Sequence, residues 1–348
     1  MLYWLGTLLT PVFGPFRLFN SYLFLASIGT ALATTLTWFA LPRLWHHLPR
    51  DGGRIYAVGA EQSLGKPVGA GLIFIIIFVT VCLLVLPLSL CNLIVLGCML
   101  LAMLVGFADD KSGGLSELQL GAADFVIAFL GALAFSELAP MTLWFPLFKD
   151  SVTLSPWLFV PPATMLIWLC INATNCTDGV DGLSGSLATL AFIFLGGILY
   201  VVVGHQDIAH YLLVPHYPEG ANWAIMAFVM VGCLAGYLWH NAHPSAVLMG
   251  DAGSRPMGFL IGLLVLATGN PFIVIVVAFM VLVDGATGLL KLALLRFFKI
   301  GIFRNVRYPL HDHVRKQLGW SNTQVLVRFV LLQAVITPLL LVLLFKVR

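Results

Sequence analysis

Residues 91–110 read CNLIVLGCMLLAMLVGFADD. Up to Ala108 the stretch carries no Asp, Glu, Lys or Arg, and then two carboxylates, Asp109 and Asp110, stand side by side. An uncharged apolar run of about 18 residues or more is what a helix needs to cross the hydrocarbon core of a bilayer. The adjacent acids then mark a membrane face. Working outward, nine further apolar runs recur at 21–44, 68–90, 121–139, 157–174, 184–203, 222–240, 256–268, 271–295 and 324–345. The expected breaks are near Leu90, Cys91 and Asn92, and at Gly269, Asn270 and Pro271. Composition agrees. Of 348 residues 60% are hydrophobic and only 9% charged, with a mean hydropathy of +1.00. A soluble domain carries roughly 25% charged residues, so a soluble globule, a disordered chain and a disulfide scaffold are all excluded. The fold class expected is an all-α polytopic membrane protein of about ten transmembrane helices. Residues 1–20, with Pro11 and Pro15 and no basic start, read as a surface or re-entrant piece rather than a cleaved signal.

Ten crossings place both termini on one side, and Lys and Arg choose which. One set of connections holds Arg43, Arg50, Arg54, Lys66, Lys111, Arg255, Lys291, Arg296, Lys299, Arg304, Arg307, Arg315, Lys316 and Arg328, which is 14 of the 18 basic residues. The other holds Arg17, Lys149, Lys346 and Arg348. Positive charge stays inside, so the first set is cytoplasmic and both termini are external. No internal repeat, low-complexity tract or soluble domain interrupts residues 1–348, which read as one membrane-embedded domain.

The acids gather on the cytoplasmic side. Asp178 and Asp181 lie in NATNCTDGVDGL at 172–183, and Asp251 in NAHPSAVLMGDAGS at 241–254. Asp124 sits just inside the span after Asp109-Asp110. Taken singly, an acid at a membrane rim is a solvated helix-end residue. Taken together, adjacent carboxylates repel unless a cation or donor compensates, and the flanking Asn and Gly supply neutral donors and close backbone approach. Carboxylates with Asn, and no Cys/His cluster, suit Mg²⁺, which binds through one or two carboxylates plus substrate phosphates. That points to phosphoryl chemistry at the cytoplasmic face. No Walker loop is present, which removes ATPase and GTPase readings. The last cytoplasmic loop adds His311-Asp312-His313 amid basic residues, either a phosphate or metal contact or a basic loop on anionic lipid. If extended, it would turn His311 and His313 to one side and Asp312 to the other. His46, His47, His205, His210, His216, His240 and His243 read as interfacial, and the six Cys as packing residues.

These motifs resemble the polyprenyl-phosphate N-acetylhexosamine-1-phosphate transferases, within them the branch that accepts UDP-MurNAc-pentapeptide. GFADD at 106–110, the two Asn/Asp motifs and PLHDH at 309–313 carry the likeness, with FPLFKD at 145–150, YLLVP at 211–215, GW at 319–320, VLVRF at 325–329 and KVR at 346–348 in support. The resemblance implies transfer of phospho-MurNAc-pentapeptide from its UDP carrier to undecaprenyl phosphate in the bacterial inner membrane, with Mg²⁺ as cofactor. It implies Asp251 as the Mg²⁺ contact and Asp109 and Asp110 beside the lipid phosphate. Lys66, Asn172, Asn175, Asp178, Asp181 and Asn241 would bind substrate, and His311 and His313 would lie beside the sugar phosphate. No nucleic-acid partner is implied, and a homodimer is left open. The chain departs from the pattern at Asp312, where a His is usual, at Leu248, where an aromatic is usual, and at Leu120, near which a Lys is usual. A sister transferase using UDP-GlcNAc is the alternative. A secondary transporter is the remote one, since transporter sites sit near the bilayer midplane and often show repeats.

Overall fold

The computed structural model describes residues 1–53, 61 and 63–346. Arg54 and Arg348, and with Arg348 the end of the terminal KVR, lie outside the described residues. The chain is a helical membrane protein. Among the described residues seven helices are long and apolar enough to cross a bilayer. These are α2 (Tyr22–Leu44, with a 3₁₀ extension Trp45–His47), α4 (Leu90–Ser112), α5 (Glu117–Ser136), α6 (Pro156–Thr177), α7 (Leu183–Gly197, continued by a π turn Ile198–Val203), α9 (Gly220–Asn241) and α15 (Asn322–Lys346). Short α1 (Leu2–Leu9) precedes α2, and short α8 (Gln206–Tyr211) lies between α7 and α9. Helix α1 folds back on a 3₁₀ turn at Gly14–Asn20, with Leu8 and Val12 exposed.

The other three expected spans come out differently. The run at 68–90 forms α3 only over Gly71–Val85. Its first residues stay extended because Val68 bridges Leu248 in parallel and Pro67 pairs with Arg50. The break comes earlier than expected, around Pro87, and Ser89 then caps α4 by accepting the Asn92 N–H at 3.1 Å. The run at 256–268 starts five residues sooner, as α10 (Asp251–Ala267), and every residue of it is buried. The run at 271–295 is not one helix. It divides into α11 (Ile273–Val277), α12 (Phe279–Val281), a π turn Leu282–Ala286 and α13 (Thr287–Phe298).

A broken helix frees backbone groups that no lipid can satisfy. Two buried polar side chains of α15 meet them. Gln333 accepts from Met280 N–H at 2.7 Å and donates to the Val277 carbonyl at 2.9 Å, while Thr337 donates to the Val276 carbonyl at 2.9 Å. The break lets the chain deliver Asp284, on the π turn, to the end of the bundle where the other acids lie.

Helix α10 forms the centre, packed between α6 and α4 with α3 alongside. Small residues make this possible: a Cβ on Gly258 would come within 2.6 Å of the Ile171 Cα, and one on Gly71 would overlap the α10 backbone at Ala252 and Gly253. A two-stranded hairpin, β1 (Met141–Leu143) and β2 (Val152–Leu154), joins α5 to α6 at the opposite end.

Candidate functional site

The start of α10 collects the acidic motifs. Helix α4 continues to Ser112, closed by Gly113 at φ +77°, so Asp109 and Asp110 belong to its last turns rather than to a loop. Asp110 reaches α10 end-on: its Oδ1 accepts the Asp251 N–H at 2.9 Å and its Oδ2 the Ala252 N–H at 3.1 Å. A carboxylate at a helix N-terminus satisfies otherwise orphaned donors and meets the positive end of the dipole. The preceding Gly250 sits at φ +71°, and a Cβ there would lie 2.8 Å from the Asp110 carboxyl carbon, so both conformation and space demand glycine.

Asp109 lies against the carboxylate of Asp251, and Asp178 adds its charge to the surroundings of Asp110. Asp251 itself is 8% exposed, buried rather than a solvated rim residue. Its Oδ2 accepts two bonds from Arg255, from Nε at 2.9 Å and Nη2 at 2.7 Å. Arg255 also bonds Asp124 on α5 through Nη1. Neither Arg255 nor Asp124 stands out in the sequence as a site residue. The signal was there: Arg255 follows Asp251 by four positions, one helical turn, inside an otherwise apolar run.

The second motif closes the far side. Asn175 donates to Ser254 Oγ at 3.0 Å, tying α6 to α10, and Ser184 Oγ donates to Asp178 Oδ1 at 2.7 Å. Asn172 donates to the Trp168 carbonyl of its own helix at 2.9 Å. Asn241 is buried and holds the scaffold, accepting from Gly182 N–H at 2.7 Å and donating to the Val247 carbonyl at 2.8 Å. Leu248 is pinned by its backbone, donating to the Pro67 carbonyl and accepting from Ala70 N–H.

Asp181 is the best-supported carboxylate. Ser245 gives it Oγ–H at 2.7 Å and N–H at 3.1 Å, His243 Nδ1 lies 2.9 Å away, and Lys66 Nζ lies 4.0 Å away while donating to Ser245 Oγ at 3.0 Å. His243 therefore is not merely interfacial. Burial works to raise the Asp181 carboxyl, but the bonds from Ser245 and His243 and the charge of Lys66 outweigh it and hold the group below the ordinary carboxylate range. A depressed folded value stabilises the fold at every pH above the unfolded value, about 3.9, and the gain is lost as pH falls through the lower folded value. Asp181→Asn is expected to flatten the acid side of a melting-temperature profile in detergent. An acid limb as steep as wild type would remove Asp181 as its source.

The histidine segment corrects an expectation. Residues Leu310–Leu318 form a helix, α14, not an extended strand, so His311 and His313 do not face one side. His311 is buried on Asp284, which accepts its backbone N–H at 2.7 Å and lies 2.8 Å from its Nδ1. Its ring packs on Gly179, where a Cβ would come within 2.9 Å of the ring. His313 turns away, its Nδ1 accepting the Arg307 N–H at 3.2 Å. Asp312 is buried beside Arg315, at 3.4 Å, with Arg307 at 4.0 Å. Asp284, hidden in an apolar run, is the third residue the sequence did not flag, after Arg255 and Asp124.

The structure thus brings Asp109, Asp110, Asp251, Asn175, Asp178 and, through Gly179, His311 to one end of the bundle, with Lys66, Asp181 and Asn241 around the adjoining loop. Among the described residues no group of three or more His, Cys, Asp or Glu forms a preassembled metal cluster.

Comparison with known proteins gives the same direction. The sequence pattern of glycosyl transferase family 4 matches residues 92–269. Proteins from two strains of Treponema pallidum, one of them strain Nichols, are each named phospho-N-acetylmuramoyl-pentapeptide-transferase. Each is 46% identical over 340 residues, covering 97% of this chain and 94% of its own. A protein of the same name from Aliarcobacter butzleri is 30% identical over 327 residues, 87% of this chain and 89% of its own.

Proposed function

We infer the reaction from kinship: the chain belongs to glycosyl transferase family 4, together with the phospho-N-acetylmuramoyl-pentapeptide-transferases. It transfers phospho-MurNAc-pentapeptide from UDP-MurNAc-pentapeptide to undecaprenyl phosphate, giving lipid I and UMP in peptidoglycan biosynthesis. A lipid phosphate oxygen forms a bond to the β-phosphorus, the bond from that phosphorus to the bridging oxygen breaks, and the electron pair leaves with UMP. A phosphate monoester is already largely ionised near neutral pH, its second pKa being about 6, so the step needs alignment and charge compensation more than a base.

The single observation that carries the reading is the meeting of the acidic end of α4 with the start of α10, where Asp110 accepts the Asp251 N–H at 2.9 Å and neighbouring Asp109 stands in the field of the Asp251 carboxylate. Two carboxylates in contact repel, and the hard oxygen pair they form fits Mg²⁺, which binds through one or two carboxylates and completes its shell with substrate phosphates. Asp251 and Asp109 would hold it. The ion would neutralise charge developing on the pyrophosphate oxygens. Asp110 holds α10 and hence Asp251 in place. Asn175, Asn172 and Asp178 face the donor phosphates, Asp181 and Lys66 the nucleotide, and His311, oriented by Asp284, the sugar phosphate. Asn241 acts on the substrate through the loop it braces.

The same reading makes α3, α10 and the α11–α13 run the eighth to tenth crossings. The excess of Lys and Arg at the site end makes that end cytoplasmic and the termini external in the bacterial inner membrane, and the whole chain is one membrane-embedded domain that a second copy can join as a homodimer. The test offers purified protein undecaprenyl phosphate and Mg²⁺ with UDP-MurNAc-pentapeptide or with UDP-GlcNAc. The first donor should yield a lipid-linked product and UMP, and product from UDP-GlcNAc alone would overturn the donor assignment.

A further inference from the structure

Arg255 is 4% exposed one turn into a wholly buried helix, and both of its carboxylate partners are buried as well. Burying an ion pair is seldom a route to stability, because the desolvation cost offsets the attraction. This pair is a poor fastening by its own geometry. Helix α5 packs mainly along α6 and α4 and touches α10 lightly, so there is little interface for the pair to hold. Asp124 is 0% exposed, and its Oδ1 is buried with no hydrogen-bond partner among the described residues. An unmet buried acceptor costs free energy. An arrangement that costs stability persists where the groups serve something else.

What they serve is legible in the bonds. Two donors of one planar guanidinium, Nε and Nη2, converge on a single oxygen of Asp251, which fixes the carboxylate's rotation as a Lys point charge cannot. The third direction, Nη1, is taken by Asp124, which fixes the guanidinium. Asp124 also shares the positive charge, so Asp251 is oriented without being fully neutralised. Resting on the transferase reading above, we propose that Arg255 is a positioning residue for Asp251, and that Asp124 holds Arg255 in that position.

A purely mechanical link and a positioning device separate in two variants. Arg255→Met combined with Asp124→Leu replaces two members of the triad by apolar side chains and leaves the buried Asp251 carboxylate without its partner, at a cost in stability. The expected result is a protein that folds with a lowered melting temperature and binds UMP with unchanged affinity by calorimetry, with kcat lowered about a hundredfold. A folded double variant with wild-type kcat would overturn the proposal. Should the double variant fail to fold, Arg255→Lys decides. Its ammonium keeps the charge and the Asp124 partner but not the two-donor grip on Oδ2. It should lower kcat at least about tenfold while KM for the donor stays within about twofold. Wild-type kcat, or a change confined to KM, would overturn the proposal. Absence of product from the wild-type protein with either donor would instead overturn the transferase reading, and this proposal with it.

Discussion

Asp251→Asn should lose at least about a thousandfold in turnover, about 4 kcal/mol of barrier, while the protein still folds. The substitution preserves shape and leaves a carbonyl oxygen that can accept from Arg255, whose Nε and Nη2 now rest on Oδ2 at 2.9 and 2.7 Å. What it removes is the charge. Without it Asp109 faces a neutral amide, and under the proposed reading the pair would lose its hold on a divalent cation. Asp251→Ala is the poorer test, because it leaves Arg255 with Asp124 alone and leaves unpaired a buried donor, about 1–3 kcal/mol of stability. The two variants should therefore share an activity defect and differ in melting. Mg²⁺-dependent UMP release by Asp251→Asn close to wild type would remove Asp251 from the metal's shell.

Much of this was legible before any coordinates. The apolar runs anticipate the seven long helices among the described residues, because those follow from one-dimensional hydropathy. What escaped depends on contacts far apart in the chain. Nothing near Asp124 announces an arginine 131 residues on, and nothing near Asp284 announces His311. The break in the 271–295 run was invisible for the same reason, since the side chains that tolerate it, Gln333 and Thr337, belong to another helix. The histidine segment failed differently. There the side-chain directions hung on a condition, an extended chain, and the segment is helical over Leu310–Leu318 instead. The helix turns His311 inward to Asp284 and His313 away.

Asp110→Ala should lower turnover by at least about a hundredfold through a different cause, displacement rather than loss of a ligand. Both Asp110 oxygens are on the first two N–H groups of α10, at 2.9 and 3.1 Å. The helix they start is buried along its whole length, so water cannot readily replace the lost acceptor. Orphaning those donors costs about 1–3 kcal/mol each, and the first of them belongs to Asp251 itself. Melting and turnover should therefore fall together in Asp110→Ala. Asp110→Asn keeps one acceptor, turns an amide toward the other donor, and should fall between. Asp109→Asn is the control. Its carboxylate accepts only the exposed turn N–H of Leu115 from the backbone while facing Asp251, so turnover should fall with melting nearly unchanged. An inactive Asp110→Ala that melts like wild type would show that Asp110 acts on the lipid phosphate directly, and that the start of α10 is held by something else.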